Sequence, residues 1–209
     1  MHIEFLVEEL SAEVALRNLV PKMMPEEVTF EIHSYQGKSA LLRKLPQRLQ
    51  GYKQWLPPDW RIVILIDQDR EDCRVLKSKL EKIAADAGLI TKSVAQNNKN
   101  NSSFQVLNRL AIEELESWFC GDVDAIVAAY PKVSPHLAQQ ATYRNPDEIA
   151  GGTWEALERT LQRHGYHLGG LEKVNAAREI SAYMEPQHNR SRSFQVFRDG
   201  LLDIVNCQS

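Results

Sequence analysis

The segment from Arg61 to Asp72 constrains the fold more than any other part of the chain. It contains five consecutive apolar residues, Ile62 to Ile66, and such a run predicts a strand buried on both faces, as in the middle of a parallel sheet. Asp67 ends the run and Asp69 follows it. In an extended chain, residues i and i+2 point to the same side, so we expect the two carboxylates to converge. They would do so at the carboxyl end of the strand, where open α/β sheets bind ligands.

Two interpretations of these aspartates are open on this segment alone. Two like charges held close together are costly unless a cation lies between them, and a hard divalent ion is the usual partner of carboxylate oxygens. The alternative is that Asp69 caps the helix that follows, since aspartate is a preferred N-cap residue, and that Asp67 is solvated.

Four other segments carry strand patterns. Residues 3–7 and 104–112 are largely apolar, and residues 28–33 alternate between polar and apolar. Residues 89–95 predict an edge strand, and a polar loop follows at 96–103.

Acids directly follow two of these strands: Glu8 and Glu9 after the first, and Glu113, Glu114 and Glu116 after residue 112. We therefore expect acids from several strands to meet at one edge of a mainly parallel sheet. At least one of the last three is expected to be structural, because the helix dipole favours acids in a first turn.

Helices are predicted between and after the strands. Ser11 is expected to cap the first one, and residues 71–87 form a charged amphipathic helix. From residue 122 onward only helical spacing occurs, over 123–130, 154–164, 171–184 and 194–205. We therefore predict an α/β core over residues 1–121 and an all-helical extension over 122–209 that packs on it.

Two basic segments are candidates for phosphate binding. Lys38 follows Gly37 at a predicted helix start, where it can hold an anion, although Ile32 occupies the position at which a P-loop requires glycine. Arg190, Arg192 and Arg198 lie in or after a serine-containing turn and offer guanidinium groups suited to phosphate contact. The alternative for all four cations is solvation or a salt bridge.

Composition narrows the class of protein. The three cysteines, Cys73, Cys120 and Cys207, have no CxxC or Cys/His spacing, which argues against a zinc site or a disulfide framework and favours a reducing compartment. No apolar run approaches the roughly 18 residues that span a membrane, and the N-terminus lacks a basic region typical of a signal peptide. We expect a cytoplasmic protein with no membrane contact.

The strand-then-acid pattern resembles the Toprim domain shared by topoisomerases, primases and OLD-family nucleases. That family places a glutamate after its first strand and Asp-x-Asp after a later central strand, and the matching positions are Glu8 and Asp67-Gln-Asp69. The resemblance covers about residues 1–120. More closely, the chain is similar to an uncharacterised bacterial Toprim-like family often encoded beside ATPases, which shares the stretch Glu116-Ser-Trp118.

The resemblance implies a Toprim-like, Rossmann-like α/β fold and metal-dependent phosphoryl transfer, with nuclease cleavage of DNA or RNA preferred. It implies Mg²⁺ or Mn²⁺ as cofactor, Glu8, Asp67 and Asp69 as catalytic acids, and Glu114 and Glu116 as further metal ligands. It also implies nucleic acid and an ATPase as partners in a defence or repair system, and it allows a homodimer.

Three observations bear on alternative functions. Toprim domains usually have glycine after the first glutamate, whereas Glu9 stands here, and this favours a non-catalytic regulatory subunit of an ATPase complex. Acids after two strands also describe a phosphoacceptor receiver domain, but the helical second half supplies no fifth strand. No tyrosine is placed as a topoisomerase nucleophile, so hydrolysis is preferred to strand passage.

Overall fold

A four-stranded, all-parallel sheet forms the centre of the computed structural model, which describes residues 1–97 and 103–206. The strand order is β2-β1-β3-β4, with strands at β1 His2–Val7, β2 Thr29–Ser34, β3 Trp60–Asp67 and β4 Val106–Ala111. Helices flank both faces, so the chain has the Rossmann-like α/β fold that the sequence predicts. Because every strand runs in the same direction, all carboxyl ends lie at one edge of the sheet.

Nine α-helices lie within the described residues: α1 Leu10–Met23, α2 Lys38–Trp55, α3 Cys73–Asp86, α4 Lys92–Asn97, α5 Glu116–Cys120, α6 Val123–Ala129, α7 Thr153–Arg163, α8 Lys173–Tyr183 and α9 Arg192–Asn206. Two short 3-10 helices, Pro135–Gln139 and Ala141–Tyr143, join α6 to the segment before α7. None of these helices is long and apolar enough to cross a membrane.

The central strand β3 is buried on both faces, as its unbroken apolar run predicts. Val63 and Leu65 belong to one hydrophobic cluster, whereas Ile62, Ile64 and Ile66 belong to the cluster on the opposite face. The second face is covered by α2 and α3, which contribute buried leucines to the same cluster. The alternation of side chains along the strand thus fills two cores at once.

The helices after residue 122 pack on the first face of the sheet and share its core. Phe194 and Phe197 of α9 lie in the same cluster as Phe5 of β1, and the ring of Trp118 is 5.2 Å and 4.8 Å from their two rings. The Trp118 indole also donates a hydrogen bond to Ser193 at 3.0 Å. One continuous core therefore joins the strands to the later helices, and a division into domains at residue 121 stays a prediction.

Two local predictions are wrong. Residues 89–95 do not form a strand: only Thr91 bridges to Val106, and α4 begins at Lys92 because the Thr91 hydroxyl accepts the Val94 amide at 3.3 Å and caps the helix. Ser11 does not cap α1. The helix begins one residue earlier, and the Ser11 hydroxyl donates to the Glu9 carboxylate at 2.7 Å.

Part of the polar loop predicted at 96–103 lies outside the described residues, and so does Cys207. Cys73 and Cys120 are free thiols.

Candidate functional site

Three carboxylates meet at the carboxyl edge of the sheet. Glu8 follows β1, Asp67 ends β3, and Glu116 begins α5 just after β4, and these strands are neighbours in the sheet. The Asp67 amide donates to Glu8 Oε2 at 3.2 Å, while the Leu115 amide donates to the Asp67 carboxylate. The parallel topology thus brings together acids that are far apart in sequence.

Burial and nearby negative charges raise the pKa values of all three acids. Burial raises the pKa of Asp67 well above its ordinary value, and the charges of Glu116, Glu8 and Glu9 raise it further. Burial also raises the pKa of Glu116 to about 7, against the opposing attraction of Lys173. The pKa of Glu8 is raised chiefly by burial as well. Each acid therefore resists ionisation unless positive charge is added.

Glu116 shows most clearly that the acids lack hydrogen-bond donors. Its side chain is 1% exposed, and both carboxylate oxygens are buried without a hydrogen-bond donor. Its ion-pair partner, Lys173 Nζ, lies 3.5 Å from Oε1, at the outer limit of hydrogen-bond distance. Buried polar atoms without partners are rare in folded proteins, so two on one carboxylate point to a missing donor or cation.

Two lysines flank the cluster. Lys38 Nζ lies 2.5 Å from Asp69 and 3.2 Å from Glu71, and the Gly37 amide donates to the Glu8 carbonyl at 3.0 Å, which brings the start of α2 beside Glu8. Gly37 has φ 87°, a conformation that favours glycine.

The second lysine, Lys173, is held by the negative charge of the acids. Burial lowers its pKa, but the attraction of Glu116, followed by Glu114, Glu9 and Asp67, outweighs this effect and raises the pKa of Lys173.

Lys173 is the residue that sequence reasoning missed. It begins α8, in the helical part of the chain, and nothing in its local sequence distinguishes it from a solvated lysine at a helix start. Only the packing of α8 against helices α1, α5 and α6 brings its charge to acids at the carboxyl ends of β1, β3 and β4.

Asp69 does not converge with Asp67 in the way that an extended chain would require. The strand ends at Asp67, and Asp69 adopts a left-handed backbone with φ 53° while its amide donates to the Glu113 carbonyl at 2.7 Å. Its side chain is 46% exposed and pairs with Lys38. The helix-cap alternative for Asp69 is also wrong, because Asp72 caps α3 by accepting from the Arg74 and Val75 amides.

Glu114 has a structural role. Its Oε2 accepts hydrogen bonds from Thr153 Oγ1 at 3.1 Å and from the Trp154 amide at 3.3 Å, so it caps the start of α7. Of the acids after β4, therefore, Glu116 faces Asp67 and Glu114 ties the later helices to this edge. Its role as a metal ligand stays a prediction.

The three arginines lie apart from the acids. Arg190 donates to the Tyr143 carbonyl at 3.2 Å, Arg192 contacts Gln195 at 3.5 Å, and Arg198 pairs with Asp199 at 2.7 Å. The hydroxyl and amide groups of their turn are already bonded to buried Asp147, which accepts from Ser191 Oγ, the Arg192 amide, the Ser193 amide and Ser193 Oγ. Phosphate contact by the arginines stays a prediction.

The chemistry of the site fits a hard cation, although the side chains are not closed around one. Over residues 1–97 and 103–206, no group of three or more His, Cys, Asp or Glu side chains is arranged tightly enough to hold a metal ion. Carboxylate oxygens are nevertheless the ligands that Mg²⁺ and Mn²⁺ prefer, and the orphaned oxygens of Glu116 are available to such an ion.

The parallel sheet and the buried carboxylates at its carboxyl edge define the class: a Rossmann-like α/β protein with an acidic site where strands β1, β3 and β4 end. The chain belongs to the family described as Domain of unknown function (DUF4276), whose model matches residues 7–202. That match spans both the strands and the later helices. Neither a curated protein nor a solved structure shows a significant similarity to the chain.

Proposed function

We propose that this protein is a divalent-metal-dependent phosphodiesterase that cleaves DNA or RNA. The observation that carries the proposal is that Glu8, Asp67 and Glu116 lie at one edge of the sheet, where the charges of Glu8 and Glu116 act on Asp67 and both oxygens of Glu116 lack a hydrogen-bond donor. The preference for nucleic acid over other phosphate compounds comes from the resemblance to Toprim domains.

The residues have distinct proposed roles. Glu8, Asp67 and Glu116 would hold Mg²⁺ or Mn²⁺, and such an ion, when bound, polarises a phosphate oxygen and lowers the pKa of a water molecule. Lys38 and Lys173 stand on either side of the acids and would offset the charge of a phosphodiester. Asp69 and Glu71 position Lys38 through their ion pairs.

Proton release should accompany metal binding. Because the pKa of Glu116 is about 7 and that of Asp67 is well above its usual range, the metal-free site retains protons near neutral pH. A cation favours the ionised acids, so it displaces these protons and binds more tightly as the pH rises. Calorimetry in buffers of different ionisation enthalpy measures the number released.

The proposal is tested by cleavage of single- and double-stranded DNA and RNA with Mg²⁺ or Mn²⁺, comparing wild type, Asp67→Asn and Asp86→Asn. Asp67→Asn keeps the shape of a buried ligand but removes its charge, and it should abolish cleavage while leaving nucleic-acid binding intact. Asp86→Asn is the matched control, because Asp86 is an exposed acid on α3 that pairs with the exposed Lys82.

Cleavage that survives Asp67→Asn would contradict the proposed site. Calorimetry with metal, repeated in the presence of an oligonucleotide that can complete the metal shell, gives an independent reading. Equal metal binding by wild type and Asp67→Asn would also overturn the assignment.

A second candidate is a non-catalytic subunit of an ATPase complex. Two features favour it: Glu9 replaces the usual glycine and adds a negative charge that raises the pKa of Asp67, and Lys173 already supplies a positive charge to Glu116. This candidate predicts no metal binding and no cleavage, with or without an ATPase.

For either function we propose a cytoplasmic location, in keeping with the free thiols of Cys73 and Cys120. We also propose a role in defence or repair for either function.

A further inference from the structure

A cleft lies between β2 and α2, and none of the acids of the candidate site lines it. It has a volume of about 720 Å³, within the range of small-molecule sites, roughly 300–1,000 Å³. Its walls come from one strand edge and one helix face, and its lining residues are Glu4, His33, Tyr35, Lys44, Gln47, Arg48, Gly51, Tyr52 and Trp55.

Aromatic rings form part of the lining. The Tyr52 and Trp55 ring centroids are 5.3 Å apart with a tilt of 48°, and the Trp55 side chain is 54% exposed. Tyr35 lines the cleft just beyond the end of β2. An exposed indole beside a ligand-sized cleft offers a stacking surface for a planar ring.

Two cations lie over these rings. Lys44 Nζ is 5.8 Å from the Tyr35 ring centroid and the Arg48 guanidinium is 5.0 Å from that of Tyr52. Both side chains are exposed, and within the part of the chain that the structure describes neither forms an ion pair with a carboxylate. They are therefore free to bind an anion.

The contact between Arg48 and His33 does not satisfy the arginine. His33 Nε2 lies 2.6 Å from Glu4 Oε2 and 3.1 Å from Arg48 Nη2. One ring nitrogen cannot donate to Glu4 and accept from Arg48 at the same time. The shorter contact to the buried carboxylate, which also accepts from the Tyr52 hydroxyl at 2.7 Å, is the stronger one. The guanidinium therefore keeps its contact with Tyr52 but has no carboxylate partner among the described residues.

We propose that the cleft between β2 and α2 binds a nucleotide unit, with its base stacked on Trp55 and its phosphate held by Lys44 and Arg48. Aromatic stacking together with cationic groups is the combination by which proteins hold single-stranded nucleic acid without base pairing. The same chemistry recognises a free nucleotide. This site is separate from the acid cluster, and the proposal does not depend on metal chemistry.

Gly51 allows a test that leaves the fold intact. It lies within α2 and lines the cleft, and a Cβ added there meets no atom within 4 Å. Gly51→Leu therefore places a side chain in the cleft without a clash at its Cβ and raises the helix propensity of α2. The paired variant Lys44→Ala with Arg48→Ala removes the cations, and Arg43→Ala is the matched control, because Arg43 is exposed on the same helix but does not line the cleft.

Binding of a fluorescent 12-nucleotide oligothymidylate is measured by anisotropy, and binding of thymidine monophosphate by calorimetry, on the full chain without added metal. We expect Gly51→Leu and the double variant each to weaken binding at least tenfold, with Arg43→Ala within twofold of wild type. For the oligonucleotide, the double variant should also lower the slope of log K against log salt by about 0.7 for each phosphate that it no longer neutralises. Binding of the oligonucleotide alone identifies single-stranded nucleic acid as the source, and binding of both probes identifies the nucleotide unit itself.

Wild-type affinity in Gly51→Leu, confirmed as folded by circular dichroism, would overturn the proposal. A failure of both the oligonucleotide and thymidine monophosphate to bind wild type would also overturn it. Because no metal is added, the proposed cleavage reaction contributes to neither binding measurement. Failure of the cleavage hypothesis therefore leaves this result unchanged, and the two ideas are separately refutable.

Discussion

Replacement of Glu116 by glutamine should make the metal-free protein more stable at alkaline pH. The pKa of Glu116 is 4.5 in an unfolded chain and about 7 in the folded protein. Between these values the folded state keeps a proton that the unfolded state has lost, so the free energy of unfolding falls as the pH rises. Glutamine carries no charge and avoids this loss.

The magnitude follows from the pKa difference. Each tenfold change in an acid dissociation constant corresponds to about 1.4 kcal/mol, so a pKa that rises from 4.5 to about 7 destabilises the fold by about 3 kcal/mol above pH 7. Below pH 4.5 both states bind the proton and the effect vanishes. A protonated glutamic acid and a glutamine leave similar polar groups without hydrogen bonds. The pH-dependent part of the difference in unfolding free energy therefore reports the charge of Glu116 alone.

Urea unfolding of wild type and Glu116→Gln at pH 5, 6, 7 and 8, with a chelator present, measures this difference. We expect the stability of the variant relative to wild type to increase by about 2.5 kcal/mol from pH 5 to pH 8, because pH 5 already lies above the unfolded pKa. Glu26→Gln, which changes an exposed acid, should show no such trend. A difference between Glu116→Gln and wild type that is constant with pH would refute the argument that burial destabilises the charged form of Glu116.

Three further predictions concern other contacts. Asp147→Ala removes four hydrogen bonds at the start of α9 and should lower the free energy of unfolding by about 2–3 kcal/mol in urea; a loss below about 0.5 kcal/mol would contradict this capping role. Lys173→Met removes a positive charge from the acids, so Mg²⁺ should raise the melting temperature of this variant more than that of wild type at pH 8; an equal rise would show that Lys173 does not compete with the ion. Tyr52→Phe takes a donor from the buried Glu4 carboxylate and should cost about 1–2 kcal/mol, which thermal unfolding measures; an unchanged melting temperature would mean that water replaces the hydroxyl.

The central strand and the placement of Asp67 and Glu8 were predictable because their signals are local. An apolar run that ends in Asp67 carries its own burial pattern, and a second run that ends at Glu8 repeats it. Parallel pairing then forces both carboxylates to one edge. The α/β class follows from the same alternation of strands and helices.

The rest of the site depends on contacts that local patterns do not encode. Asp69 and Asp72 are equally good caps by residue type, and only the left-handed turn at Asp69 decides that Asp72 takes the role. Lys173 reaches the acids through the packing of a helix from the far part of the chain. By contrast, the cleft residues Lys44, Arg48 and Tyr52 lie four residues apart on α2, and this spacing alone indicates that they share one helix face.

The shared core also bears on how the chain acquires its structure during translation. Side chains of β1, such as Phe5, pack in the same cluster as Phe194 and Ile204 of α9, and the ribosome makes these two elements at opposite ends of the described sequence. Helix α1 covers part of this face of the nascent sheet, but the part beside β4 that α9 contacts stays uncovered until α9 emerges. Before then that apolar face is a binding site for chaperones and a target for proteases, and the acid cluster cannot acquire the Lys173 charge until α8 has docked.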